Sequence, residues 1–405
     1  MFPPDFMWGV SSSAFQIEGG NIDANWNRYN DTNTSQDRYG NAVDFRHRYS
    51  QDIALAHDLG ANTYRISIDW ARVEPKRGQY DAPELAYYDD VIATMKRSGI
   101  TPLISLEHWA YPGWVLDQGG WVNANTISEY LAFVKMVVTR YHADIRYWLT
   151  FNEAAFYLIT EEGARVLDPI SLLQMDANLI AAHRQAYDLI HQIDPGAMVS
   201  SNIAWAGKAV GTGGPVQITT DLLFLDAIAD KVDFIGFDYY YAGFSPLDLV
   251  YAAEEQPWNA ALWPYGIYAA LQQLGARYPG LPLLVVENGM PTDNGLPRSD
   301  GYTREEVLRD TVYWVQRARA DGMNVIGYLY WSLTDTFEWG AYSPRFGLYT
   351  VDVLKDPTLT RKPTAAAAAY RQITEQNGMD PAYTPVLGGD CSQTPLSLNC
   401  IAPGL

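Results

Sequence analysis

LPLLVVENGM, Leu281 to Met290, is a nearly unbroken apolar run that ends in a carboxylate. Leu283 to Val286 show no alternation and are bounded by Pro282 and Gly289, the pattern of a strand buried on both faces, as in a parallel sheet. Glu287 stands where that strand stops. Burying its charge there costs free energy unless the charge is paired or used. A second stretch behaves alike: Arg146 to Glu153, RYWLTFNE, is aromatic and β-branched and ends in Asn then Glu. Two strands far apart in the chain, each delivering a glutamate at its carboxyl end, predict a barrel whose rim carries a carboxylate pair.

The same alternation extends outward in both directions. Strands are predicted at Met7 to Ser11, Asn62 to Ile68, Pro102 to Leu106, Tyr147 to Phe151, Met198 to Ile203, Asp233 to Tyr239, Leu283 to Val286 and Val325 to Trp331. Helix-like stretches lie between them: Tyr49 to Leu59, Glu84 to Arg97, Thr126 to Tyr141, Leu172 to Ile193, Asp221 to Ile228, Tyr265 to Arg277 and Thr303 to Ala320. Thr303 ahead of Glu305 and Glu306 marks a helix start, and Gly60, Gly99 and Gly322 sit where helices should end. Strand-then-helix repeats imply parallel strands with right-handed crossovers, and eight of them close a barrel. The fold class expected is α/β, a single (β/α)8 TIM barrel over residues 1–377. A last helix, Ala365 to Gln376, should pack under the first strand. Residues 378–405 read as an irregular tail, whose Cys391 and Cys400 suit a small disulfide loop of an exported protein, with free thiols as the alternative.

Composition narrows the function classes. No apolar run in the 405 residues approaches the roughly 18 that a membrane span requires, so a soluble protein with no membrane partner is expected. The formal net charge of -19 repels phosphate backbones and anionic surfaces, which argues against nucleic acid. The 13 Trp and 28 Tyr supply flat faces with polar tips, suited to sugar rings, although most of them must fill the core. The chain opens without a basic segment followed by an apolar one, so no signal peptide is expected in it, and its compartment stays open. The 6 histidines do not cluster at ligand spacing and Gly211-Thr212-Gly213-Gly214 lacks the setting of a phosphate cradle, so neither metal nor cofactor is expected. Oligomeric state is not legible.

In a barrel the catalytic face is lined by the residues at and just past the carboxyl end of each strand. That rule names Gln16 and Glu18 after the first strand, Arg65 on the second, His108 and Trp109 after the third, and Asn152 and Glu153 after the fourth. Asp238, Tyr239 and Tyr240 belong to the end of the sixth, Glu287 and Asn288 to that of the seventh, and Trp331, Asp335, Glu338 and Trp339 to that of the eighth. His108 alone would read as a satisfied core histidine, and Arg65 alone as a structural ion pair; convergence on one rim favours function. Two carboxylates facing each other among aromatics and amide donors suit glycosidic bond cleavage, with one protonating the leaving group and the other attacking or stabilising the anomeric carbon. Tyr240 and Arg65 are placed to orient the attacking carboxylate and keep it ionised. Gln16, His108 and Glu338 are placed to hold sugar hydroxyls.

These residues resemble the family 1 glycoside hydrolases, whose best-known members are β-glucosidases, over nearly the whole chain. PDFMWGVSSSAFQIEG (residues 4–19) is similar to that family's amino-terminal signature, TFNE (150–153) to its acid/base motif and VVENG (285–289) to its nucleophile motif. YWSLTDTFEWG (330–340) and YSPRFGLYTVD (342–352) resemble its carboxyl-terminal signature. The resemblance implies Glu153 as general acid/base and Glu287 as nucleophile. It further implies Gln16, His108, Trp109, Asn152, Glu338 and Trp339 around the innermost sugar, Trp331 as its platform, and Arg65 and Tyr240 against the nucleophile. A small-molecule carbohydrate is the substrate implied, cleaved with retention and with transfer to acceptors other than water open to the same intermediate.

Three departures from the family pattern carry expectations. Ala154 replaces the usual proline, so Glu153 loses the extended-backbone restraint that a proline at the next position imposes. Asp238 replaces the usual asparagine; if it is ionised beside Glu287, like-charge repulsion should shift the acid limb of activity upward relative to Asp238→Asn. The chain is also short between Glu153 and the helix holding His183, which predicts an open aglycone side, measurable as faster cleavage of bulky aglycones relative to small ones than a long-loop relative gives. Rival readings are a 6-phospho-β-glycosidase, which would need cationic grips in place of Glu338 and Trp339, and a thioglucosidase or an inactive sugar-binding protein, which would be expected to lack one of the two glutamates.

Overall fold

The structure is a computed structural model and describes residues 1–165, 167–205, 217–240 and 256–387. Cys391 and Cys400, and the glycine-rich stretch 211–214, lie outside the described residues.

Eight parallel strands close a barrel, as the alternation predicts. The first, Met7–Ser11, lies between the second, Thr63–Ser67, and the eighth, Val325–Trp331. The third and fourth, Thr101–Ser105 and Tyr147–Leu149, continue on one side, and the seventh and sixth, Leu283–Glu287 and Ile235–Asp238, on the other. The fifth closes the circuit in two pieces. Met198–Ser200 pairs with the fourth strand, while Ile203–Ala204 pairs with the sixth. The expected continuous strand Met198 to Ile203 is thus broken at Ser201 and Asn202, because both side chains leave the ladder. The Ser201 hydroxyl donates to the Phe151 carbonyl at 2.9 Å, and the Asn202 amide turns into the barrel mouth.

Apolar side chains fill the barrel floor. Met7, Leu103, Leu149, Phe234, Leu284, Val286 and Leu329 form one buried cluster drawn from the strands and the residue just ahead of the sixth, each aliphatic side chain contributing about 1.5–3 kcal/mol when fully buried. The larger core lies between barrel and helices. Helix Arg304–Ala320 starts on a capping box in which Thr303 and Glu306 satisfy each other's backbone N–H, as the sequence signal indicates. Ala365–Gln376 packs under the first strand, with the Tyr370 hydroxyl donating to the Gly9 carbonyl at 2.7 Å. Helix Ala154–Arg165 is absent from the sequence-based expectation. It begins at the residue after Glu153 and lies against helix Pro169–Ile193, so the short connection is a helix rather than a loop. Residues 380–387 run irregularly over helix Arg304–Ala320, where Asp310 accepts from the Tyr383 hydroxyl and the Val386 and Leu387 amides.

Candidate active site

Glu287 and Glu153 meet at the mouth of the barrel, at the carboxyl ends of the seventh and fourth strands. One carboxylate oxygen from each, together with one from Asp238 at the end of the sixth strand, lies within 4.8 Å of the others. All three residues are buried. Gly289 lets the seventh and eighth strand ends approach this closely, since a side chain there would collide with the Trp331 carbonyl.

Arg65 organises the floor of the site. It is fully buried, and each nitrogen has a partner: Nε donates to Ser105 Oγ at 2.7 Å, Nη1 to Glu287 Oε1, and Nη2 to Asn152 Oδ1 at 2.6 Å, with His108 Nδ1 3.1 Å away. The Tyr240 hydroxyl donates to the other oxygen of Glu287 at 2.6 Å. Glu287 therefore has a guanidinium on one oxygen and a phenol hydroxyl on the other, two donors that fix the direction of its carboxylate. A guanidinium has no lone pair to offer, so His108 Nδ1 must accept from it and the ring must be neutral, with its proton on Nε2. Burial first, and the Arg65 charge second, push the imidazole well below its usual range in agreement. Nε2–H is then a donor for a hydroxyl.

Glu153 sits on unusual backbone. Its φ is +42°, and Trp109 and Trp339 are at +65° and +52°; non-glycine residues held in that region cost on the order of 1–3 kcal/mol each and cluster where surrounding structure over-determines them. Glu153 does not take the extended backbone that a proline at position 154 would impose. Its backbone is left-handed, and it is fixed by Trp109 Nε1 donating to the Asn152 carbonyl at 2.9 Å and by the Tyr157 amide donating to the Glu153 carbonyl at 2.8 Å.

The remaining wall is aromatic and amide. Trp331 and Trp339 lie nearly parallel to the His108 ring at 5.9 and 6.0 Å between centroids, and Trp109 packs on Trp339 at 4.9 Å. Trp331 Nε1 reaches Glu338 Oε1 at 3.4 Å, which also accepts from the Thr336 hydroxyl, and enclosure pushes the Glu338 carboxyl up to about 7. Gln16 Oε1 accepts from Ser13 Oγ at 2.8 Å, while its buried Nε2 has no protein partner among the described residues. Buried donors are rarely left unmade, so Gln16 Nε2 is suited to a substrate oxygen.

Four residues of the strand-end reading serve the scaffold instead. Glu18 pairs with Arg72 at 2.8 Å and accepts from Tyr87 and Tyr88. The Tyr239 hydroxyl donates to the Trp263 carbonyl, Asn288 accepts from Tyr328, and Asp335 holds the Gly347 and Val351 amides. Conversely, the strand-end reading missed Asn202 and Ser105. Asn202 Nδ2 donates to Asn152 Oδ1 at 2.7 Å and to Asp238 Oδ2, linking three strand ends. The strand-end rule names it once it is applied to the fifth strand.

A family model described as "Glycosyl hydrolase family 1" matches residues 1–211 and 219–379. The chain is 26% identical over 445 residues to "Beta-glucosidase A" of Acetivibrio thermocellus, covering 93% of this chain and 99% of that protein. It is 27% identical over 463 residues to the "Aryl-phospho-beta-D-glucosidase BglH" of Bacillus subtilis, covering 93% and 98%. Among solved structures, a β-glycosidase from Pyrococcus horikoshii matches with a TM-score of 0.81 at 27% identity, over 94% of this chain and 96% of that one.

Proposed function

The chain belongs to glycosyl hydrolase family 1, and from that premise we propose that it removes the terminal non-reducing β-D-glucosyl residue of oligosaccharides or glycosides by double displacement with retention. Galactosyl and fucosyl residues are the alternative glycones. The observation that carries this reading is the approach of a Glu153 and a Glu287 oxygen to within 4.8 Å, which is compatible with the carboxyl separation of about 5–5.5 Å that suits direct attack.

Glu287, ionised between Arg65 and Tyr240, attacks the anomeric carbon from the face opposite the leaving group and forms a glycosyl ester. Glu153 gives its proton to the departing oxygen. With Glu287 ionised, like-charge repulsion favours keeping that proton on Glu153 until the ester neutralises Glu287. Glu153 then takes a proton from water, or from a second sugar, as that oxygen attacks the anomeric carbon, breaks its bond to Glu287 and frees the carboxylate. Gln16 Nε2, His108 Nε2 and the Glu338 carboxylate bind the hydroxyls, and Trp331 is the platform beneath the ring.

The second reading is a 6-phospho-β-glycosidase, favoured by the likeness to the Bacillus subtilis protein. Glu338 weighs against it, because its carboxyl offers a phosphate no cation in either protonation state and repels it when ionised. Hydrolysis of 4-nitrophenyl β-D-glucoside and of its 6-phosphate, with the first-formed sugar anomer read by proton NMR, separates these outcomes. The β anomer appearing first and at least tenfold higher kcat/KM for the unphosphorylated substrate are expected. The α anomer first would overturn retention, preference for the 6-phosphate would install the second reading, and no turnover of any glycone would point to a sugar-binding protein.

A further inference from the structure

The two-glutamate reaction leaves one carboxyl of the site without work. Asp238 is almost wholly buried. Facing it are Glu287 from the seventh strand, Glu153 from the fourth and Arg65 from the second, with Tyr240 two residues on, Asn202 from the fifth strand and His108 behind Arg65. Three carboxyls thus crowd around one guanidinium, and the donors of that guanidinium go to Glu287, Ser105, Asn152 and His108. None goes to Asp238.

The amide network fixes which Asp238 oxygen does what. Asn152 Oδ1 accepts from Arg65, which can only donate, so Asn202 must turn its NH2 toward Asn152. The other hydrogen of that NH2 meets Asp238 Oδ2, which is therefore an acceptor. Asp238 Oδ1 is buried and receives no donor among the described residues. As an anion it would be an unsatisfied charge beside two other carboxyls, the costliest state available to it. As O–H it becomes a donor on a side chain that sits beside the Glu153 and Glu287 carboxylates. Burial first, then the charges of Glu287 and Glu153, push Asp238 well above the usual carboxylate range, against Arg65 and the Asn202 hydrogen bond. The expected upward shift of the acid limb was conditional on an ionised Asp238, and this geometry disfavours that condition.

We propose that Asp238 binds the glycone as a neutral carboxylic acid, with Oδ2 accepting from Asn202 and Oδ1–H donating to a sugar oxygen, the two-sided role of an asparagine amide. This rests on the glycosidase reading of the site. The proton stays on Asp238 throughout turnover; only Glu153 exchanges one.

The test compares wild type, Asp238→Asn and Asp238→Ala by pH profiles of kcat/KM on an aryl β-glucoside and by infrared spectroscopy of the carboxyl C=O region at neutral pH. Asp238→Ala removes the donor and should lose about 10–100-fold in kcat/KM, while Asp238→Asn should stand at least tenfold above Asp238→Ala. The acid limb of Asp238→Asn should coincide with that of wild type, since a neutral acid adds no charge to Glu287. The difference spectrum between wild type and Asp238→Asn should show the loss of one protonated-carboxyl component, over those that Glu153 and Glu338 contribute to both proteins. Asparagine as damaging as alanine, an acid limb higher in wild type, or no change in the carboxyl band would each overturn the proposal. A wild type that turns over no glycoside would instead overturn the proposed function, and the infrared band, which needs no turnover, would still decide the protonation of Asp238.

Discussion

Replacing Glu287 by alanine is expected to lower kcat for aryl β-glucosides by on the order of 10⁵-fold, the scale seen when a covalent nucleophile is removed. The loss has two parts. No ester can form, and the charge that stabilises the oxocarbenium-like transition state disappears with it. Glu287→Ala also leaves the fully buried Arg65 without its carboxylate, and breaking a buried pair by removing one partner destabilises by about 3–5 kcal/mol. Glu287→Gln therefore belongs beside it: it keeps a side chain for Tyr240 and Arg65 and should lose activity to a similar extent, which separates chemistry from folding. The positive counterpart is chemical trapping. A 2-deoxy-2-fluoro-β-glucosyl fluoride should leave a single fluoroglucosyl group on the wild-type protein, detected by intact mass and mapped to the peptide holding Glu287. Wild-type turnover in either variant, or a label on another peptide, would remove Glu287 from the nucleophile's role.

The positions of the reacting groups were legible in the sequence because each depends on a local signal. A strand with no alternation must be buried on both faces, so Leu283–Glu287 locates itself, and its terminal carboxylate is then at a barrel rim. The strand-end rule tells where a residue lies along the barrel axis but not where its side chain turns. Glu18 and Asp335 are at the right height and yet bind Arg72 and two backbone amides. The break in the fifth strand left a signal that the strand reading passed over, since Ser200-Ser201-Asn202 are poor strand formers and common turn residues; what the sequence does not tell is the tertiary use of Ser201 and Asn202 that the break serves. The left-handed backbone of Glu153 has the same origin, since nothing in TFNEA requires a positive φ. The protonation of Asp238 was the least legible of all. From the sequence it is an acid beside an acid; only the distances to three strand ends and the spent donors of Arg65 decide which carboxyl holds the proton.

Replacing Glu153 by alanine should damage the enzyme selectively, and the selectivity is the signature. In the first step of the proposed mechanism Glu153 supplies a proton to the departing oxygen, so its loss should matter in proportion to how badly the leaving group needs one. Alkyl and sugar aglycones should lose about 10²–10⁴-fold in kcat/KM, the usual scale of general acid catalysis, whereas a dinitrophenyl glycoside, which departs as a stable anion, should lose far less. In the second step the same residue removes a proton from water. Without it the ester on Glu287 persists, so for activated substrates kcat should fall together with KM, because the accumulating intermediate saturates the enzyme at low substrate. Azide needs no general base and should restore deglycosylation of Glu153→Ala, giving a β-glycosyl azide, while leaving Glu287→Ala without that product. A uniform loss across leaving groups would mean that Glu153 acts by shaping the site, which its strained backbone and its place between Asn152 and helix Ala154–Arg165 would then have to explain.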